Sequence, residues 1–222
     1  MISSDHSPHQ NQPVLAAGEK LDKAQAAMLM VHGRGASAQD ILSLSTELDI
    51  PGFAYLAPQA AAGTWYPYRF LEPVEVNEPW LSSALRQLEK VTDIIQQAGI
   101  PAERTILLGF SQGACLAVEF AARNAQRYGG VVALSGGLIG AQVDASQYPG
   151  NLTGTPVFLG CSDVDPHIPQ TRVKETAQAF QALGGDVSYK FYTGMGHTVN
   201  QDELDHVREM MIPLVKEQNN NR

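Results

Sequence analysis

Apolar residues along the chain form short continuous runs that are bounded by glycine, proline and polar residues. Runs such as AMLMV, which ends at Val31, and TILLG, which ends at Gly109, are typical of strands buried on both faces of a parallel sheet. These runs predict strands at residues 27–31, 53–57, 105–109, 130–134, 156–160 and 187–192.

Between these runs the apolar spacing changes to three and four residues, as in an amphipathic helix. The clearest helix has apolar residues at positions 81, 84, 85, 88, 91 and 95 and ends before Gly99 and Pro101. Further helices are predicted at residues 38–48, 112–128, 170–183 and 202–217. The alternation of strand and helix predicts one α/β domain, with helices on both faces of a mostly parallel sheet and no large cap domain.

The N-terminal sequence MISSDHSPHQNQP is polar and lacks the apolar stretch of a secretory signal. It predicts a disordered tail over residues 1–13, in which His6 and His9 are solvated, followed by the α/β domain over residues 14–222. No apolar run is long enough to span a bilayer. We therefore expect a cytoplasmic protein without integral membrane association.

Charge and cysteine content narrow the classes of partner. A formal net charge of -8 argues against a surface that neutralises nucleic-acid phosphates or anionic lipids, so we expect a small-molecule partner and no nucleic acid. Cys115 and Cys161 lie far apart in apolar segments, which predicts buried free thiols rather than metal ligands.

Two predicted connections are long for a compact domain: the first long loop, residues 58–76, and the second long loop, residues 135–154. Each follows the C-terminal end of a strand, the edge where open α/β sheets bind their ligands. The first loop carries the aromatic stretch WYPYRF over residues 65–70. We expect its aromatic residues, Trp65 and Tyr66 among them, and Leu138 and Ile139 of the second loop to wall a substrate pocket. The alternative is that these residues only cover the edge of the sheet.

A possible nucleophile stands in the stretch GFSQG, where Ser111 lies between Gly109 and Gly113. An apolar strand precedes this stretch and a helix of small residues follows it, which is the context of the strand-turn-helix nucleophile elbow. The glycines avoid side-chain collisions as strand and helix pack closely around the bend. The alternative interpretation is an ordinary turn.

A serine nucleophile needs a histidine base that is oriented by a carboxylate. Of the histidines after Ser111, His197 lies in the glycine-bracketed loop GMGHT, whereas His206 lies within a predicted helix. The acid should follow the preceding strand, and spacing alone does not separate Asp163 from Asp165. We predict no metal site in this segment, because it offers too few ligands for zinc or for a hard cation.

The oxyanion of an acyl-transfer intermediate needs two backbone donors. The first is expected from the N–H of Gln112, directly after the possible nucleophile. The second is expected from the N–H of Arg34, between Gly33 and Gly35, which let the backbone approach a ligand. The same loop lacks the further glycine and the Gly-Lys-Ser/Thr of nucleotide-binding loops.

Together the motifs VHGRG, GFSQG, DVDPHIP and GMGH resemble the phospholipase/carboxylesterase branch of the α/β-hydrolases, which includes acyl-protein thioesterases. The resemblance runs from about Met28 to the last helix. It implies Ser111 as nucleophile, His197 as base and Asp165 as acid, and no cofactor. It also implies the backbone N–H groups of Arg34 and Gln112 as oxyanion donors. In one departure, Arg-Gly-Ala follows His-Gly where the thioesterases have an apolar residue and Gly-Asp.

These features predict a serine carboxylesterase that hydrolyses small to medium esters through an acyl-enzyme. The alternatives are an acyl thioesterase or lysophospholipase, a lactonase on the same fold, and a catalytically inactive binding module. A homodimer is possible.

Overall fold

The computed structural model describes residues 7–215, which form a seven-stranded sheet with helices on both faces. The strands are β1 (Val14–Gly18), β2 (Ala26–Val31), β3 (Phe53–Pro58), β4 (Thr105–Phe110), β5 (Gly130–Leu134), β6 (Pro156–Ser162) and β7 (Asp186–Tyr192). Their order in the sheet is β1-β3-β2-β4-β5-β6-β7. Only β1 runs antiparallel to its neighbour, so the predicted mostly parallel α/β fold is confirmed.

Six α-helices in the described part of the chain cover the sheet: α1 (Ala38–Leu42), α2 (Leu44–Leu48), α3 (Trp80–Gln97), α4 (Gln112–Arg123), α5 (Gln170–Ala182) and α6 (Gln201–Val215). Helices α3, α4 and α5 pack on one face, in a core that includes Leu29 and Leu107. Helices α1, α2 and α6 pack on the other face, in a core that includes Met28 and Ile106. Successive residues of a strand point to opposite faces, so continuous apolar runs supply both cores.

Helix boundaries differ from the predicted ones in two places. The helix predicted at 38–48 is divided at Ser43, which ends α1 and begins α2. The helix predicted at 112–128 ends at Arg123, because Asn124 leaves the helical conformation and its side chain donates a hydrogen bond to the Phe120 carbonyl. Residues 216–217 of the last predicted helix lie outside the described residues.

Strand β1 has no counterpart among the predicted strands. Its sequence, VLAAG, is short, rich in small residues and only partly buried, so it lacks the strong pattern of the central strands. It pairs at the outer edge of β3, with Leu15 opposite Ala57 and Ala17 opposite Tyr55.

The N-terminal segment also differs from its prediction. Residues 1–6, including His6, lie outside the described residues, but residues 7–13 pack against the domain. His9 is 0% exposed, and its ring makes hydrogen bonds to the backbone of Ala61 and Trp65. The predicted disordered tail is therefore wrong for residues 7–13, because a polar segment can be held by long-range hydrogen bonds that no local pattern reveals.

Candidate active site

Ser111 occupies a strained turn between β4 and α4. Its φ of 55° and ψ of -120° lie in a region that residues with a side chain rarely adopt. A side chain at Gly109 would collide with the backbone of Gly113, and one at Gly113 would collide with the backbone of Val31 and His32. The expected reason for the two glycines is thus confirmed, and the bend exposes Ser111 at the C-terminal edge of the sheet.

Ser111 is hydrogen-bonded to the histidine that the sequence favours. Its Oγ lies 2.8 Å from Nε2 of His197, and Nδ1 of His197 lies 2.7 Å from Oδ2 of Asp165. The His197 ring packs against Phe110, with 5.1 Å between ring centroids. Because Nδ1 faces a carboxylate, it carries the proton, which leaves Nε2 as the acceptor for the serine hydroxyl.

The structure separates the two aspartates that spacing left equivalent. Asp165 contacts His197, whereas Oδ1 of Asp163 accepts a hydrogen bond of 2.8 Å from the backbone N–H of Gly194 and so holds the histidine loop. Burial acts to raise the pKa of Asp165, but hydrogen bonds from His197 and from the N–H groups of His167 and Ile168 outweigh it and lower the pKa below its ordinary value. Asp165 is therefore held as a carboxylate.

The other two histidines after Ser111 have different surroundings. The His167 ring meets the His197 ring edge-on, with 4.9 Å between centroids, at the mouth of the site. The His206 ring stacks on Phe158 on the α6 side of the sheet. His206 thus helps to pack α6 against the sheet, in agreement with its position within a predicted helix.

Two backbone N–H groups beside Ser111 remain available as donors. Gly33 packs so closely against Ser111 that an added Cβ would lie 3.3 Å from the serine Cβ. The N–H of Gly35 donates to the Gly63 carbonyl at 2.8 Å, whereas within residues 7–215 the N–H groups of Arg34 and Gln112 have no protein acceptor. Gln112 is also the first residue of α4, so the positive end of the helix dipole lies at this point.

The side chains of Arg34 and Gln112 tie the first long loop to the elbow. The Arg34 guanidinium donates hydrogen bonds of 2.8–3.0 Å to the carbonyls of Tyr66, Pro67 and Tyr68. Gln112 accepts from the Trp65 N–H at 2.9 Å and donates to the Tyr66 carbonyl at 2.8 Å. Both predicted oxyanion residues therefore use their side chains to hold the loop.

A cavity of about 280 Å³ opens at Ser111. Its lining residues are Arg34, Tyr66, Tyr68, Arg69, Phe70, Ser111, Gln112, Cys115, His167, Ile168 and His197. The lining contains two arginines and no carboxylate, although the chain as a whole is acidic. This local positive charge favours the negative charge of an oxyanion.

Of Trp65, Tyr66, Leu138 and Ile139, only Tyr66 lines this cavity. Trp65 is fully buried, and its Nε1 donates to the His32 carbonyl at 2.8 Å. Leu138 and Ile139 are buried in the core, because the second long loop folds inward over α4 and α5. The prediction is wrong for these three residues.

The aromatic residues Tyr68 and Phe70 of the first loop line the cavity as expected, together with Arg69, for which there was no separate expectation. Their signal was position in the same aromatic stretch, WYPYRF. His167 and Ile168 also line the cavity. The sequence indicated this only weakly, through their place shortly after Asp165.

The two cysteines are free and buried, as predicted. Burial raises the pKa of each thiol to about 12, so both are protonated at neutral pH. No cluster of three or more His, Cys, Asp or Glu side chains that could hold a metal ion occurs within the described residues.

A parallel sheet with this elbow, histidine loop and acid defines a serine hydrolase of the α/β-hydrolase fold. The sequence profile described as Phospholipase/Carboxylesterase matches residues 13–212, so the chain belongs to this family. The resemblance seen in its motifs is thereby confirmed, and the chain is an enzyme of the carboxylic ester hydrolase class.

Relatives and solved structures agree with this assignment. Acyl-protein thioesterase 1 of Debaryomyces hansenii is 32% identical to the chain over 92% of its length and 97% of that protein. The match to acyl-protein thioesterase 1 of Gibberella zeae is 34% identical but spans about half of each protein, 54% of this chain and 53% of the relative. A phospholipase/carboxylesterase from Dyadobacter fermentans superposes with a TM-score of 0.87 at 41% identity, covering 90% of this chain and 96% of that one.

Between residues 7 and 215, no helix has the length and apolar character needed to cross a membrane.

Proposed function

We propose that the chain hydrolyses small to medium carboxylic esters by two-step acyl transfer through Ser111. The observation that carries the proposal is the hydrogen-bonded series from Ser111 through His197 to Asp165, which ends in an open cavity. The N–H groups of Arg34 and Gln112 beside the serine, which have no acceptor among residues 7–215, support it.

Each step uses the observed hydrogen bonds. Asp165 holds His197 with its Nε2 towards Ser111 Oγ. As the oxygen attacks the ester carbonyl, its proton moves to Nε2, and His197 then gives that proton to the leaving alcohol. Water enters in the place of the alcohol and loses a proton to the same nitrogen as it attacks the acyl carbonyl. His197 then returns this proton to Ser111 Oγ, which leaves as the acid is released.

The backbone donors act where charge develops. The carbonyl oxygen becomes negative in the tetrahedral intermediate, and the N–H groups of Arg34 and Gln112 stabilise it. The benefit is larger in the transition state than in the bound substrate, so it increases kcat.

The size of the cavity supports a limit on the acyl chain. About 280 Å³ lies near the lower end of small-molecule sites, and the walls include the polar groups of Tyr68, Arg69 and His167. We expect kcat/KM to be highest for short and medium acyl groups. A steady rise of kcat/KM from acetyl to palmitoyl esters would contradict this limit.

Thioester hydrolysis is the second candidate. It is favoured by the acyl-protein thioesterases of Debaryomyces hansenii and Candida albicans, to which the chain is similar over most of their length. Oxygen esters and thioesters with the same acyl group, assayed side by side, separate the two candidates, and lactones added to the same series test the lactonase alternative. The cytoplasmic location and a homodimer stay predictions.

The decisive experiment is labelling with a fluorophosphonate probe, followed by peptide mapping. We expect one adduct on Ser111 in the native chain and none in Ser111→Ala, and we expect His197→Ala to lose both labelling and turnover. Folded protein that acquires no adduct would contradict the proposal and favour an inactive binding module.

A further inference from the structure

The segment of residues 7–13, the N-terminal strap, crosses α3 and reaches the first long loop. The His9 backbone N–H donates to Ser83 Oγ at 3.0 Å, and Gln87 of the same helix donates to the Gln12 carbonyl at 3.3 Å. At the end of the strap, the Gln59 N–H donates to the Pro13 carbonyl at 2.9 Å. These contacts join positions more than forty residues apart in the chain.

The His9 ring is the most buried part of the strap. It packs between Trp65 and Trp80, with 5.4 Å between ring centroids in each case. Its Nδ1 accepts a hydrogen bond of 3.0 Å from the Ala61 N–H. Nε2 therefore carries the proton and donates to the Trp65 carbonyl at 3.0 Å.

Both ring nitrogens thus bind the backbone of the first long loop. A doubly protonated imidazolium would lose the bond from Ala61, because it has no acceptor. Burial lowers the pKa of His9 below its ordinary value, which favours the neutral ring. The charge of this ring is affected by His32, whose ring also packs on Trp65, and Arg86 donates to Ser7 Oγ at the start of the strap.

The loop segment that bonds to His9 also bonds to the backbone around Arg34, whose N–H is the expected oxyanion donor. Trp65 Nε1 donates to the His32 carbonyl at 2.8 Å, and the Ala60 N–H donates to His32 Nε2 at 3.0 Å. On the other side of Arg34, the Gly35 N–H donates to the Gly63 carbonyl at 2.8 Å. The backbone on each side of Arg34 is therefore fixed by residues 60–65.

We propose that His9 is a positioning residue of the active site: its neutral ring fixes residues 61–65, and these residues fix the direction of the Arg34 N–H. The proposal rests on the oxyanion role given to Arg34 under the proposed function. It makes the N-terminal strap part of the catalytic support, although the strap does not line the cavity.

His9→Phe is the main test, because it keeps an aromatic ring between the tryptophans and removes both hydrogen bonds. Losing an oxyanion donor costs roughly 100- to 1,000-fold in kcat, and a donor that is only misdirected should cost about 10- to 100-fold. We expect KM to stay within about threefold, since the oxyanion forms after binding. His9→Gln, which can still donate to the Trp65 carbonyl, should recover part of kcat.

Val91→Ala is the matched control, because it removes buried apolar contacts from α3 in the same core and leaves the hydrogen bonds between α3 and the strap in place. It should lower the melting temperature and leave kcat of the folded enzyme unchanged. A His9→Phe enzyme with normal kcat would overturn the proposal. So would a raised KM with normal kcat, because that result would assign the strap to substrate binding.

Tryptophan fluorescence tests the strap independently of turnover. Trp65 and Trp80 are the only tryptophans of the chain, and both contact His9. Protonation of an adjacent imidazole quenches indole emission, so acidification of the native enzyme should quench it. His9→Gln, whose side chain does not titrate, should lose this quenching and keep the fall of kcat that protonation of His197 causes. In Trp80→Phe the remaining Trp65 signal should follow the same pH dependence. Equal quenching in the native enzyme and in His9→Gln would overturn the proposal, because a group other than His9 would then act on the tryptophans. Failure of Ser111 to label would refute the proposed function and leave the fluorescence result standing.

Discussion

The two long loops begin at the same edge of the sheet, and each is held by the hydrogen bonds of one arginine side chain. Only the first of them lines the cavity at Ser111. In the first loop, the exposed Arg34 at the cavity donates hydrogen bonds to the carbonyls of Tyr66, Pro67 and Tyr68. In the second loop, Arg172 is buried, with 5% exposure, and donates hydrogen bonds to the carbonyls of residues 138, 140 and 141. A guanidinium with several planar donors suits both tasks.

The difference lies in what each loop meets beneath it. The first loop crosses the elbow and bonds to Gln112, so its aromatic residues remain beside Ser111. The second loop meets the buried carboxylate of Glu119, which accepts from the Ile139 N–H and from the Tyr148 hydroxyl. A long loop after a parallel strand is thus either a pocket wall or a cover for the core, and buried polar anchors decide which.

The largest effect should come from Arg172→Met in the second loop. The change leaves three carbonyls without their donor, so we expect the free energy of unfolding to fall by roughly 2–4 kcal/mol. Turnover per folded enzyme should stay within about twofold. Urea denaturation and active-site titration measure the two quantities, and a kcat loss with normal stability would contradict the structural role of this loop.

In the first loop, Gln112→Ala should affect catalysis more than stability. The backbone N–H of residue 112 remains, but the loop loses three hydrogen bonds to the elbow. We therefore expect kcat to fall about 10- to 100-fold, or roughly 1.4–2.7 kcal/mol. Steady-state kinetics measure the loss. Gln126→Ala, on the exposed surface after α4, is the control and should behave as the native enzyme. Equal kinetics of the two variants would refute the link between loop and elbow.

Arg34→Ala should have a smaller effect, because the proposed donor is its backbone N–H. Loosening of the cavity wall should lower kcat/KM by about 3- to 10-fold, or roughly 0.7–1.4 kcal/mol. If the folded variant were inactive, the guanidinium would contact the substrate and the backbone-only role would be wrong. Comparison of kcat/KM for native enzyme and variant on one short ester is sufficient.

The smallest effect concerns the pH dependence of stability where the second long loop begins. Glu203 of α6 is buried against Gly160, whose carbonyl accepts from the Ser135 N–H. Burial raises the pKa of Glu203 to about 7. A raised pKa in the folded state stabilises the protonated form, so this contribution to stability is complete below the unfolded pKa of about 4.5 and is lost as pH rises to about 7.

Glu203→Gln tests this directly, since an amide does not titrate. The free energy of unfolding of the native enzyme minus that of the variant should decrease between about pH 4.5 and pH 7. Urea denaturation at several pH values provides the difference. A difference that is independent of pH would show that folding does not raise the pKa of Glu203.

Part of the site is predictable because its signals are local. The glycines around Ser111 and the glycine-bracketed His197 reflect steric demands of a few adjacent residues, and the structure brings both side chains together. The acid was not settled by spacing, because Asp163 and Asp165 lie two residues apart in one turn. Only the direction of that turn sends one carboxylate to the histidine ring and the other to a backbone N–H.

His9 and Leu138 show the opposite case. The segment around His9 is polar and short, so it was predicted to be disordered, yet Ala61 and Trp65 hold the ring from more than fifty positions away. Leu138 is apolar in a long loop, which suits a pocket wall or a core equally well. No local pattern separates these outcomes, because both depend on partners from distant parts of the chain.

The sequence by itself determined the alternation of strands and helices, the parallel sheet and the elbow, because periodicity, propensity and backbone sterics act over a few neighbouring residues. Tertiary structure alone decided which aspartate faces His197, which long loop forms the cavity, and how the strap supports Arg34. These features are set by hydrogen bonds and packing between distant segments, where the partner of a buried polar group is known only once the chain has folded.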